Sequence, residues 1–178
     1  AYEMQRSLVG PEMCIRDSRN MEAEFGEEPV ENVNLLSYNI EKLDTLFSPD
    51  EKAARIYVNF CNPWQKAGDH KRRLTHTRQL NTYKKVLAPG GELWFKTDNT
   101  DLYLATQRYL AEAGFEILCK TDDLHSEDAP GNIQSEHEVM FTAEGIKTKA
   151  IIARWNGEPE TPERVSTEQA EKVENTAE

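Results

Sequence analysis

Four strand-like runs in this sequence end in side chains of the kind that bind and position a ligand. They are Asn39 after "NVNLLSY", Asn62 to Lys66 ("NPWQK") after "ARIYVNF", Lys96 to Asn99 ("KTDN") after "ELWF", and Asp122 to His125 ("DDLH") after "FEILCKT". One polar strand end reads as an ordinary turn, because loops begin with such residues in any fold. Four at one sheet edge would instead make a site, since ligands of open α/β sheets lie beyond the carboxyl ends of the strands. The residues His70, His76 and His125 stand in no metal-ligand spacing with Cys or Asp, so no metal is expected.

Charge marks one of the four ends. The stretch "NFCNPWQKAGDHKRRLTHTRQLNTYKK" (59–85) holds seven of the 21 Lys and Arg but a single acid, Asp69, in a chain of net charge -11. That balance excludes the whole surface as a phosphate-binding mitt and leaves room for a local basic face. Lys66, Lys71, Arg72, Arg73 and Arg78 would form it; the plainer alternative is a solvated helix face. Trp64 and Trp94 read as packing residues rather than base-stacking ones.

The elements that must position these residues alternate. "IEKLDTLF" carries Ile40, Leu43, Leu46 and Phe47 at helical spacing, and "TRQLNTYKKVL" puts Leu80, Tyr83, Val86 and Leu87 on one helical face. "PGG" (89–91) is expected to stop that helix and turn the chain into the "ELWFKTDN" strand. "LYLATQRYLAEAG" reads as a helix ended by Gly114, and "KTKAIIARW" as the last strand. Apolar strands alternating with helices predict an open, mostly parallel α/β sheet with its strands buried on both faces.

Length and composition predict one core with loose ends. The 178 residues are 38% hydrophobic and 30% charged. The segment 156–178 holds seven Glu, two basic residues and no aromatic, so it is expected to be a disordered acidic tail. At the other end, "QRSLVGPEMCIRDS" has neither helical nor strand periodicity and resembles a translated sequencing adapter, so 1–25 is expected to be non-native or disordered. The domain is therefore placed at 26–155. Three cysteines (Cys14, Cys61, Cys119) without CxxC spacing, and no secretory or bilayer-length apolar run, predict a reducing, cytoplasmic setting.

"YVNFCNPWQKAGDHKRRLTHTRQLNTYKKVLAPGGELWFKTDN", followed by "TDDLH", "GN" and "SEHEVMFTAEG", resembles the bacterial tRNA (guanine-N7)-methyltransferase family over about Asn32 to Trp155. The resemblance implies a Rossmann-like class I S-adenosylmethionine-dependent methyltransferase sheet. The implied activity is methyl transfer from S-adenosylmethionine to N7 of a guanine in the tRNA variable loop, with tRNA as partner. The family's first two strands, with their Gly-rich loop and ribose-binding acid, have no counterpart here: nothing before Asn32 reads as strand, Gly-rich turn and helix. The expected fold therefore lacks those two strands and has two unpaired edges. The isolated chain is expected to be inactive.

The resemblance also assigns roles. Asn39 and Asn62 would bind cofactor, and Asn62 would be catalytic, although most of the family has Asp there and an amide offers no negative charge to a purine becoming cationic. Substrate contacts fall to Lys66, Asp98, Ser135, Glu136, His137 and Glu138, with Glu138 as bidentate acceptor for the guanine edge. Lys71, Arg72, Arg73 and Arg78 would meet tRNA phosphates. Guanine N7 has its own lone pair, so alignment and desolvation carry the reaction and no general base is required. Two alternatives belong to other classes: a non-catalytic RNA-binding α/β module, and a Rossmann-like domain for an unrelated small ligand.

Overall fold

In the computed structural model, residues 5–8, 33–36, 38–48, 50–126 and 131–157 are described. The acidic stretch 158–178 and nearly all of 1–25 lie outside them. Strands β1 (Gln5–Leu8) and β2 (Val33–Leu36) pair in parallel as a two-stranded sheet. The strand at Gln5–Leu8 falls in a stretch whose sequence shows no strand periodicity; four residues are too few to show one, and the pairing with β2 defines it.

The main sheet has the order β3-β4-β6-β5, built from β3 (Ala53–Asn59), β4 (Leu87–Thr97), β5 (Glu116–Thr121) and β6 (Lys149–Trp155). β3 and β4 are parallel, while β6 lies antiparallel between β4 and β5. Helix α1 (Thr77–Val86) joins β3 to β4, and α2 (Thr100–Glu112) joins β4 to β5. Among the described residues, β3 pairs only with β4, and β2 only with β1.

One core holds these pieces together. From the sheet come Val58, Leu93, Phe95, Ile151 and Ala153; from α1 come Leu80, Tyr83 and Val86; from α2 come Leu102 and Leu110. Full burial of each large apolar side chain contributes about 1.5–3 kcal/mol. The strands are not buried on both faces. Val58 is buried while Tyr57 and Arg55 beside it are exposed, and Arg55 lies 4.5 Å over the Trp94 ring on that outer face. Both described helices of the sheet join the same core, and in β6 the buried Ile151 and Ala153 alternate with less buried neighbours in the period of two that one-sided burial gives.

Local chemistry sets the element ends. Asn99 caps α2 by accepting from the Leu102 N–H at 2.8 Å, and Gly114, at φ 76°, carries the chain out of it in the left-handed region. Leaving α1 differs from expectation, because the chain is extended from Leu87 onward and Pro89–Gly91 lies inside β4. The β3–β4 register shifts there, and a Cβ on Gly91 would meet the Ala88 carbonyl at 2.8 Å, so the stretch acts as a bulge. "IEKLDTLF" forms a 3-10 helix over Ile40–Thr45, pinned to α1 by a Gln79 side-chain hydrogen bond to the Ile40 carbonyl (3.0 Å).

Candidate nucleotide-substrate site

The carboxyl ends of β3, β4 and β5 meet at one edge. Asn59 pairs with Lys96, Thr97 with Lys149, and Ala150 with Thr121, so the loops that follow Asn59, Thr97 and Thr121 leave the sheet side by side. Three of the four polar strand ends are thus brought together. The fourth, Asn39, follows β2 in the separate pair of strands. Its side chain accepts from the Glu41 N–H at 3.0 Å as the cap of the 3-10 helix, which is the turn role.

After β3 the chain makes a tight turn with two aromatic residues in the left-handed region, Phe60 at φ 48° and Trp64 at φ 42°. Each such residue costs about 1–3 kcal/mol and persists only where its surroundings determine it. Here they do. The Phe60 N–H donates to the Lys96 carbonyl (2.9 Å), the Trp64 N–H donates to Asn62 Oδ1 (2.9 Å), and Arg73 Nε donates to the Pro63 carbonyl (2.7 Å). Arg72 lies 3.8 Å over the Trp64 ring, so Trp64 packs under a guanidinium at the surface and outside the core.

Helix α3 (Glu136–Ala143) faces this turn. The His137 ring is stacked on Phe60, with centroids 5.8 Å apart and planes 22° from parallel, and Phe141 closes on Phe60 at 5.4 Å. Residues 60 and 137 are far apart in sequence, and this contact joins the NPW turn to the SEHE segment. The helix begins in a capping box: Ser135 Oγ accepts from the Glu138 N–H at 3.3 Å, and Glu138 Oε2 accepts from the Ser135 N–H at 3.4 Å. Neither α3 nor Phe60 was singled out from the sequence. The S-x-x-E spacing before "VMF" is the signal that finds the helix.

Two of the expected contact residues are buried. Glu138 is 0% exposed, and both of its oxygens are engaged, by Lys96 Nζ (2.7 Å) on Oε2 and by Asn132 Nδ2 (2.8 Å) on Oε1, with His125 Nε2 3.5 Å from Oε1. Through the capping box it is tied to the start of α3. Burial pushes its pKa up, but the hydrogen bonds from Lys96 and Asn132, the Lys96 charge and the Ser135 N–H outweigh that and leave it below the ordinary 4.5. Arg73 is 4% exposed and donates to the Pro63 and Trp64 carbonyls.

The other candidates reach the surface. Asn62, Lys66, Lys71, Arg72, Arg78, Asp98, Glu136 and His137 are exposed, and Ser135 is half-buried. Arg78 lies 3.5 Å from Glu41 and Arg72 3.7 Å from Asp69, both exposed pairs of small energetic weight. Lys66 and Lys71 have no ion-pair partner among the described residues. Asn62 spends a carbonyl lone pair on Trp64 and keeps two amide donors. Burial pushes the neighbouring Cys61 thiol up to about 11, which keeps it protonated and poorly nucleophilic near neutral pH. Among the described residues there is no group of three or more His, Cys, Asp or Glu side chains placed to hold a metal, and no helix long and apolar enough to cross a membrane.

The chain is similar in sequence and fold to known proteins. A family described as putative methyltransferase matches residues 3–151, a range that begins inside the stretch expected to be foreign. A tRNA (guanine-N(7)-)-methyltransferase of Clostridium botulinum (strain Eklund 17B / Type B) is 47% identical over 137 residues, 76% of this chain and 63% of that one. Its counterpart in Clostridium perfringens (strain 13 / Type A) is 43% identical over 148 residues, 82% of this chain and 68% of that one. Among solved structures, the N-methyltransferase NodS from Bradyrhizobium japonicum WM9 in complex with S-adenosyl-l-homocysteine matches 85% of this chain and 66% of its own, at TM-score 0.53 and 13% identity, a likeness of fold alone. The chain spans under two thirds of the length of the C. botulinum relative. With its α/β sheet in the order β3-β4-β6-β5 and its sequence matched over most of its length, the chain belongs to the methyltransferase family that includes the tRNA (guanine-N(7)-)-methyltransferases.

Proposed function

We propose that this chain carries the substrate-facing part of an enzyme that transfers a methyl group from S-adenosylmethionine to N7 of a guanine in the tRNA variable loop, in the cytoplasm. The observation that supports it most is the stacking of His137 on Phe60, which sets the SEHE segment against the NPW turn at the carboxyl edge of the sheet. S-adenosylmethionine, when bound, supplies an electrophilic sulfonium methyl. Asn39 and Asn62 are the residues of this chain proposed to bind it, and Asn62, through its amide, to orient the reacting groups. Asp98, Lys66, Ser135, Glu136 and His137 surround the guanine. Lys71, Arg72 and Arg78 meet phosphates near it.

The chemistry needs alignment more than proton transfer. The N7 lone pair forms the new N–CH3 bond as the S–CH3 bond breaks, its electron pair stays on sulfur, and the purine becomes cationic without losing a proton at N7. A turn locked by Arg73 and Asn62 suits that demand, since a pre-set geometry requires no reorganisation during reaction.

The test is transfer of radiolabelled methyl to unmodified tRNA, with the product identified as N7-methylguanosine. The 178 residues alone are expected to give no turnover. Extension with the relatives' first two strands and Gly-rich turn is expected to give it. Failure of the extended chain would remove the proposal, and turnover by the 178 residues would show that the cofactor needs no further cradle.

A further inference from the structure

Lys96 lies 5% exposed at the end of β4, where a buried ammonium needs a full set of acceptors. It has them: Glu138 Oε2 at 2.7 Å, the Ile133 carbonyl at 2.8 Å and Asn132 Oδ1. Asn132 in turn donates to Glu138 Oε1 at 2.8 Å, so three residues from a strand, a loop and a helix form a closed ring of hydrogen bonds. The ring ends at the capping box of α3 and therefore fixes the first turn, where Ser135, Glu136 and His137 sit. The Lys96 carbonyl accepts from the Phe60 N–H (2.9 Å), so the same residue also ties down the strained turn that His137 faces. An apolar pair would fill the space with less desolvation cost, so a buried charge pair here is poorly explained by stability alone.

We infer that Lys96 is a positioning residue that acts through Glu138 and Asn132 to hold the first turn of α3 against the Phe60–Trp64 turn. The inference rests on the tRNA proposal above for what the held residues contact. Lys96 itself touches no substrate.

The test uses the 178-residue chain and three variants, Lys96→Met, Glu138→Gln and the double variant Lys96→Met/Glu138→Leu, with two readouts. One is hydrogen exchange of the Ser135 and Glu138 amides against core amides such as Phe95 and Ile151. The other is binding of tRNA carrying guanosine or inosine at the target position. Lys96→Met should lower the protection of the two α3 amides more than that of the core amides, and weaken both tRNAs equally by about tenfold or more, about 1.4 kcal/mol. The double variant removes both buried charges, so it should recover melting temperature but neither the α3 protection nor the affinity.

Recovery of affinity together with melting temperature would overturn the inference in favour of a purely structural pair. Unchanged α3 amides in Lys96→Met would overturn it as well. A loss by Glu138→Gln for guanosine alone would restore Glu138 as a base-reading acceptor and also overturn it. If the double variant does not fold, Asn132→Ala leaves the ion pair whole and should show a smaller loss in both readouts, with no loss counting against the inference. If the unaltered chain binds neither tRNA, the tRNA proposal falls, while the exchange readout still decides whether Lys96 locks α3.

Discussion

Two groups of charged residues flank the same sheet edge and have opposite fates. Beyond β3, Lys66, Lys71 and Arg72 stand exposed around the NPW turn, while beyond β4, Lys96 and Glu138 are buried against each other at 2.7 Å. Arg73 shows how narrow the division is: it follows Arg72 directly, yet it is buried on two backbone carbonyls while its neighbour lies over Trp64 in solvent. Charges that touch water can be offered to a polyanion. Buried ones are committed, because each hydrogen bond they hold would leave an unsatisfied group if surrendered.

The sharpest way to break this comparison is to remove one member of the buried pair. Lys96→Met should cost about 3–5 kcal/mol in urea unfolding, because it strands the Glu138 carboxylate. A cost under about 1 kcal/mol, the size of an exposed pair, would erase the distinction. Next in size, Arg73→Ala should cost about 1–3 kcal/mol by leaving the Pro63 and Trp64 carbonyls without their donor. Arg72→Ala should cost about 0.5–1 kcal/mol, the worth of an exposed cation–π contact. Equal melting shifts for the two arginines would contradict the assignment.

Acid offers a gentler probe of the buried side. Glu138 titrates below its ordinary 4.5 in the folded chain, so its contribution to stability is fully present above that value and is lost as pH falls through the folded value. In acid, the α3 amides should therefore lose hydrogen-exchange protection more than the β4 and β6 amides. Protection lost uniformly across α3 and the sheet would show that Glu138 has no local role.

Much of the sheet was legible in the sequence because β3 to β6 are apolar runs that alternate with helical patterns, while their order in the sheet is a finding of the structure. The burial of Arg73 and Glu138 was not legible, for a common reason. In "KRRLT" and "SEHE", charge and spacing are visible but burial is not, and burial depends on which carbonyl or ammonium a distant segment brings near. The SEHE segment did contain its own clue, since Ser135 and Glu138 have capping-box spacing and a helix-start role competes with a ligand role. One-sided burial of the strands was illegible for a different reason. Val, Ile and Tyr suit either face of a strand, and only the placement of α1 and α2 shows which face is covered.

The most direct measurement is the salt dependence of tRNA binding. Each phosphate contact removed lowers the slope of log affinity against log salt by roughly 0.7–0.9. Lys66→Glu combined with Lys71→Glu should leave stability within about 0.5 kcal/mol, as surface changes do. Of the two, Lys71 is the one proposed to meet a phosphate, so the slope should fall by about 0.7–0.9. Glu138→Gln should weaken binding without changing the slope. A slope unchanged by reversing both exposed lysines, or one shifted equally by Glu138→Gln, would contradict the account that exposed charges at the NPW turn meet the RNA while buried ones hold the edge in place.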